Sequence, residues 1–405
     1  MKTALGNITV LDLSRVLAGP YCTQMLGDMG AEIIKIERLG GGDDTRQWGP
    51  PYLQDDSGQD TSESAYYLSC NRNKKSIAID IRTEQGQALL HKLIEKADIL
   101  IHNFKVGGLE KYGLGYEQLK QTYPSLIYCA ISGYGQQGPL SKEPGYDFVA
   151  QALSGLMAST GEPEGAPMKA GVALSDIMTG LNAAIAILAA LNFRNVTGQG
   201  QMVDVALTDC TLAAMTNLAQ YYLTSGHCAP RRGNAHATIV PYQVFEAQDG
   251  HVVLAIGNDS QFARFAKLIG QDTWAENEAY KSNKMRVKNR EELCALIQEH
   301  IERKNINYWV DECEKISVPC SPVNTIEQAF AMEQIQTREM QIEMKHPLKS
   351  EEISLVGSPL KFSESPVHYE APPPLSGQHT HEILSNMLNI SDAEIEQLRN
   401  NKIID

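Results

Sequence analysis

The chain has 405 residues, of which 42% are apolar and 21% charged, with 32 glycines and 18 prolines scattered along it. This is an ordinary globular composition for two or three structural units, and it excludes a small disulfide scaffold, a collagen-like repeat and a disordered segment. Thirty-five Lys plus Arg against 49 Asp plus Glu leave a net charge of −14, so a nucleic acid would meet a repulsive field and any anionic ligand needs a local basic pocket.

The N-terminal MKTALGNITVLDLS lacks a basic-then-apolar leader and enters a strand at once, which predicts a cytoplasmic protein. Short β-branched runs follow: ITVLDL from Ile8, AEIIKIE from Ala31, KSIAIDI from Lys75, ADILIHNF from Ala97 and SLIYCAIS from Ser125. Between the third and fourth, TEQGQALLHKLIEKAD opens on a Thr cap and repeats apolar residues at helical spacing,. The alternation predicts an α/β fold with a mostly parallel sheet and helices on both faces. Two helical stretches, Phe148 to Ser159 and Ile177 to Asn192, flank the loop TGEPEGAPMKAG. The longest apolar run, Leu181 to Phe193, falls short of the roughly 20 residues that cross a bilayer and predicts a buried helix with no membrane partner,.

From about Arg231 the texture changes. VPYQVFEAQDGHVVLAIG predicts a hairpin turning at Asp249-Gly250, followed by Glu- and Lys-rich helices to about Glu314,. Pro319 to Pro374 is loop-rich with short strands, and a final helix begins within SGQHTHEIL. The expected organisation is a large domain over 1–225, a smaller α+β domain over 226–329, and a return segment over 330–405 that packs on the large domain. The eight cysteines show no C-x-x-C pair or metal-ligand spacing and are expected as reduced thiols, mostly in the core.

GYGQQG at 133–138 fits a dinucleotide fingerprint, but Pro139 and Pro144 follow and no helix begins inside it to hold a pyrophosphate. GGG at 40–42 has no following G-K-[ST], and no serine-hydrolase elbow or H-E-x-x-H helix occurs,. His379 and His381 stand two apart, and no nearby acid or cysteine completes a metal-ligand set with them, a pattern for capping or surface roles rather than a metal. Arg72, Lys74 and Lys75, beside Asn71 and Asn73 and with Arg38 and Arg46 nearer the N-terminus, form a basic island in an acidic chain. It reads either as a solvated face or as a phosphate site at the carboxyl end of the sheet. Asp176 precedes a long apolar helix and reads either as its N-cap or as a nucleophilic carboxylate beside free N–H groups.

The strings LDLSRVLAGPYCTQMLGDMGAEIIKIE, NRNKKSIAIDI, ISGYGQQGP, LSDIMTG and PPPLSGQHT, in that order along nearly the whole chain, resemble the class III CoA-transferases, the carnitine and bile-acid CoA-transferase family. GGDDTRQWGPPY, NAHATIVPYQVF and KHPLKSEEISLVGSPL resemble its succinyl-CoA:glutarate branch. The resemblance implies a Rossmann-like large domain built from both chain ends, a smaller domain, and an interlocked homodimer. It implies acyl-CoA and carboxylic acid substrates, with CoA thioesters passing through and no permanently bound cofactor.

It places Asp176 on the catalytic aspartate and Arg38, Asn73, Lys75, Asn103, Phe104 and Tyr134 near CoA. Arg15, Arg46 and Arg231 become candidates for the distal carboxylate of a dicarboxylic acid, with Trp48 and His236 as further substrate-binding candidates. Asp176 is expected to be ionised at an ordinary carboxylate pKa. Leu17 stands where the oxalate-using branch has Gln, and Ala235 to Ile239 lack that branch's glycine lid, which argues against oxalate. The family's racemases carry His-Asp where this chain has Tyr146-Asp147, and tyrosine, with an ordinary pKa of about 10, replaces a histidine base poorly. A 2-methylacyl-CoA racemase and a noncatalytic CoA-binding subunit are the alternatives.

Overall fold

The computed structural model describes residues 3–405, which form two compact units. The first holds the described residues up to Leu156 with Ala170–Thr216 and Glu333–Asp405, and the second holds Met157–Lys169 and Asn217–Met332. The chain thus leaves the first unit at Thr216 rather than near 225, and the loop after the first helical stretch belongs to the second unit.

In the first unit the strands are β1 (Thr9–Asp12), β2 (Glu32–Glu37), β3 (Tyr52–Gln54), β4 (Asp60–Ser64), β5 (Lys74–Ala78), β6 (Ile99–His102), β7 (Ile127–Ser132) and β8 (Met202–Ala206). Six of them form one parallel sheet in the order β5-β2-β1-β6-β7-β8, while β3 and β4 pair as a separate antiparallel ribbon. All residues of β6, and all but the last of β7, are buried. Such unbroken apolar runs follow from a sheet covered on both faces.

Successive residues supply opposite faces. Leu11, Ile34, Ile77 and Leu100 join the helix Glu84–Ile94 and the C-terminal Ile383, Leu384, Ile395 and Ile404 in one core. Val10, Ile33, Ile99 and Ile127 join the helices Ala18–Asp28 and Leu174–Thr197 in the other. The helix Glu84–Ile94 starts where Thr83 Oγ1 accepts from the Gly86 amide at 3.0 Å, as its sequence predicts.

The second unit contains β9 (Tyr242–Ala247), β10 (Gly250–Ala255) and β11 (Cys320–Pro322) in the antiparallel order β11-β10-β9, with helices packed around Phe245, Phe262, Phe265 and Trp309. The β9–β10 hairpin turns through Gln248 and Asp249, one residue earlier than expected, and Gly250 opens β10 at φ 149°, a conformation that suits glycine. In the first unit, β12 (Gln341–Lys345) and β13 (Glu352–Val356) form a further hairpin.

The helix Leu174–Thr197 has 24 residues and is long and apolar enough to span a membrane by length and composition alone. It is not the buried helix expected. Ala183, Ala184, Ile187, Ala190 and Leu191 sit in the core, whereas Leu181, Ile185, Phe193 and Val196 are exposed, Val196 at 81%. Tyr146, Phe148 and Leu153 of the same unit are also exposed.

Candidate active site

Numbered within the sheet alone, the strand order is 3-2-1-4-5-6, so the connections diverge between β1 and β6. In open α/β sheets ligands bind beyond the carboxyl ends of the strands at that divergence. The two loops there are tied together by one side chain: Asn103 Oδ1 accepts from the Arg15 amide at 2.9 Å, and its Nδ2 donates to the Arg15 carbonyl at 2.6 Å. Above them lies a cavity of about 690 Å³ lined by Arg15, Leu17, Trp48, Asn103, Phe104 and Asp176. Five of the expected site residues, Asp176, Arg15, Trp48, Asn103 and Phe104, are therefore brought to one cavity, and Tyr146 lines it as well.

Asp176 is not the N-cap of its helix. The helix begins at Leu174, its N-cap is Ala173, and no side chain of that residue caps it. The capping carboxylate comes from Asp147, whose Oδ1 accepts from the Ser175 amide at 2.7 Å and the Asp176 amide at 3.4 Å. Gln151 holds Asp147 by donating from Nε2 to Oδ2 at 2.8 Å. With the orphan amides answered from outside, the Asp176 carboxylate is left to face the cavity. Burial, and then the like charge of Asp147, push its pKa up to about 7,. The expectation of an ordinary carboxylate is corrected: burial and Asp147 move Asp176 well above the usual carboxylate range. It in turn helps burial to raise the Tyr66 phenol, and Tyr66 meets Trp48 edge-on at 5.4 Å between ring centroids.

The basic island comes apart in space. Arg72 binds Asp28, Lys74 is wholly buried against Asp12 at 3.2 Å, and Lys75 bridges Glu32 at 3.0 Å and Glu382 at 2.9 Å. Lys75 lies on the edge strand β5 and lines neither large cavity. Asn73 is a fastener: its Nδ2 donates to Asp28 and to the His368 carbonyl, and its Oδ1 accepts from the Glu370 and Ala371 amides. Neither lines the two larger cavities, and the polar groups of both are engaged within the protein.

Arg46 departs in the same way. Nε and NH2 bind Glu37 at 3.0 and 2.6 Å, NH1 binds Glu63 at 2.6 Å, and NH2 also reaches the Tyr67 hydroxyl and the Pro374 carbonyl. At 4% exposure it is a structural arginine with no fork left for a substrate. Arg231 and His236 lie in the second unit, where Arg231 donates to the carbonyls of Glu162 and Gly165 at 3.2 and 2.6 Å, and the His236 ring packs on Tyr242.

Tyr134 is half-buried in the loop after β7. The amides of Gly135 and Gln136 in that loop donate to Ser132 and Asp204, and the next helix starts only at Asp147, so no helix opens inside the glycine motif. His379 accepts from the Ser76 amide through Nδ1 at 3.1 Å and His381 meets Asp392 at 2.9 Å.

Arg38 lies on a neighbouring cavity of about 370 Å³ with Leu13, Ile36, Ile79, Phe104 and Tyr112, and Arg15 borders both cavities. Asp44 ties the two arginines, meeting Arg15 at 2.8 Å and Arg38 at 2.6 Å. Sequence reasoning missed Lys105 and Lys111. Both line the larger cavity, and neither has an ion pair among the described residues. The only signal was their position a few residues after Asn103, which is visible once β6 is known to flank the divergence.

Residues 5–380 match the family described as CoA-transferase family III. The chain is 44% identical to the succinate–glutarate CoA-transferase of Agrobacterium fabrum, over 96% of this chain and 97% of that protein. It is 42% identical to the succinyl-CoA:glutarate CoA-transferase of Homo sapiens, over 99% and 90%. Among solved structures, a CAIB/BAIF family protein from Brucella suis superimposes with a TM-score of 0.85 at 42% identity, covering 96% of this chain and all of that one. A Mycobacterium tuberculosis protein at 27% identity gives 0.82, over 94% and 98%.

Proposed function

Since the chain belongs to CoA-transferase family III, we propose that it carries CoA from succinyl-CoA to glutarate or a similar C4 to C6 dicarboxylic acid, with Asp176 as the nucleophile. The observation that carries this reading is the Asp176 carboxylate, free of capping duty, in the cavity at the divergence of the sheet. The two curated dicarboxylate transferases support the choice of acids.

A thioester exchanged through water would be lost to hydrolysis, so the acyl group is held covalently instead. The Asp176 carboxylate attacks the thioester carbonyl carbon of the donor, the C–S bond breaks, and CoA leaves as the thiolate from a mixed anhydride. That thiolate attacks the aspartyl carbonyl and releases the donor acid, leaving Asp176 as the CoA thioester. The acceptor carboxylate attacks this thioester, expels the thiolate and forms a second anhydride. The thiolate then attacks the acceptor's acyl carbon and returns Asp176 as a carboxylate. No proton, electron or metal enters the balance. Backbone N–H groups would have to meet each oxyanion for this sequence to be fast.

Lys105 and Lys111, rather than Lys75, are the cations we assign to the phosphates of CoA, because they line the cavity without a carboxylate of their own,. The smaller apolar cavity bordered by Arg38 and Phe104 suits the adenine. Arg15 is assigned to the substrate carboxylate, with Asp44 as the partner it must share,. Ile185, Val196 and Phe148 are large apolar side chains left exposed, and we assign them to contact with a second copy of the chain.

The test is a thioester exchange assay with succinyl-CoA and labelled glutarate in deuterated water. Labelled glutaryl-CoA without α-deuterium supports the reading; α-deuterium in a 2-methylacyl-CoA incubated in parallel, with no exchange in the first assay, would establish a racemase instead. Hydroxylamine trapping should modify the peptide that contains Asp176.

A further inference from the structure

We infer that Arg232 and Arg290, both in the second unit, form a carboxylate-binding site. The two adjacent arginines 231 and 232 differ in what they touch. Arg231 spends its guanidinium on backbone carbonyls. Arg232 Nε is buried and has no hydrogen-bond partner.

Arg290 stands at the first position of the helix Arg290–Ile301. Its NH2 donates to the Ala237 carbonyl at 3.0 Å, a few residues along the loop that Arg232 begins. Its NH1 is buried and unpartnered. The loop is not free to swing these groups away. The Ala235 amide donates to the Arg232 carbonyl at 3.0 Å, and Asn283 binds the Thr238 carbonyl at 2.8 Å and the Val240 amide at 3.1 Å.

The Arg232 and Arg290 guanidinium groups stand close enough to repel. Burial first, and the charge of Arg232 second, hold Arg290 below the ordinary arginine range. Among the described residues no carboxylate comes within ion-pair distance of either. The fully buried arginines all have one: Arg46 has Glu37 and Glu63, Arg72 has Asp28, and Arg286, in the same unit, has Asp259 at 2.7 Å. Buried donors without acceptors are costly, and an anion with two coplanar oxygens would answer both forks at once. The missing partner is a carboxylate brought by a ligand. Taking that ligand to be a small dicarboxylic acid rests on the transferase reading above.

Glutarate titrated calorimetrically into the full-length protein at low salt tests the site. Arg232→Met removes a side chain that makes no hydrogen bond, so the melting temperature should hold while glutarate affinity falls at least tenfold. Arg290→Lys keeps the charge but loses the fork and should weaken binding by a smaller factor. Inorganic phosphate should bind wild type more weakly than glutarate does. No measurable glutarate binding to wild type, unchanged affinity in Arg232→Met, or phosphate binding more tightly than glutarate overturns the site. The two readings fail separately. Absent succinyl-CoA:glutarate exchange in wild type rejects the transferase proposal even if Arg232→Met abolishes glutarate binding, whereas normal exchange with unchanged glutarate binding rejects the site alone.

Discussion

The segment 71–75 and the loop after β6 both carry clustered cations, and they behave in opposite ways. In the first, Arg72, Lys74 and Lys75 each face a carboxylate of the protein. In the second, Lys105 and Lys111 line the large cavity with none. The same contrast divides the acids. Burial alone would raise the Asp43 pKa, but Lys35 beside it holds the carboxyl at about 2. Asp176, buried with another carboxylate for company, rises to about 7. What a ligand meets is the charge left over after the fold has paired its own, and a cluster in the sequence says little about that remainder.

The sharpest way to break this contrast is to remove the unpaired acid. Asp176→Ala should lower transfer by more than ~1000-fold with CoA affinity kept; near-normal turnover in the exchange assay would sink its role. Removing a paired charge should instead injure the fold. Arg46→Met leaves Glu37 and Glu63 buried without their cation and should cost about 3 to 5 kcal/mol in urea unfolding, and a selective rise in KM for the acid with unchanged stability would return Arg46 to the substrate. Among the lysines, Lys111→Glu should weaken CoA binding about tenfold, more at low salt than at high. Lys75→Glu should leave it nearly unchanged, and calorimetry giving the reverse order would favour the basic island after all.

The smallest effect concerns pH. If the ionised Asp176 attacks, the rate should rise with pH through a midpoint near 7, the value to which burial and Asp147 push that group,. Asp147→Asn removes the second cause and should move the midpoint down. The sign for stability is the opposite of that for rate. A carboxyl whose folded pKa is raised stabilises the fold when protonated, and that contribution fades as pH climbs from about 4 through 7,. A rate profile flat between pH 6 and 8 would separate the nucleophile from this group.

The alternation of strands and helices was legible because buried parallel strands are continuous apolar runs: the runs from Ile8, Ala31, Lys75, Ala97 and Ser125 each overlap a strand of the sheet,. The strand β8 was missed, since Met202–Ala206 is short and carries Asp204 in its middle. The order of strands is a property of long-range pairing and was out of reach, and with it the meaning of Lys105 and Lys111. Asp176 was legible as a motif, but its freedom from capping depends on Asp147, 29 residues upstream. The fate of the basic residues was hidden for the same reason: Lys74 finds Asp12 at a separation of 62 residues and Arg72 finds Asp28 at 44. Local pattern records what a segment wants to bury; it does not record who neutralises whom.

The edge strand β5 is sealed by the last stretch of chain. Ser76 exchanges hydrogen bonds with His379 at a separation of 303 residues, Gly377 donates to Ser76 Oγ, the Asp80 amide donates to the Ile403 carbonyl, and Ile79 bridges Ile404. During synthesis this seal is made long after the strand it covers. At about 5 to 20 residues per second, the ribosome needs about 15 to 60 s after delivering Ser76 to deliver His379,. For that interval a nascent sheet would offer an open edge to any neighbouring strand. The C-terminal turn therefore ends the chain's exposure to mispairing as it closes the sheet, and a message truncated before His379 would yield a protein with most of its core and an unguarded flank.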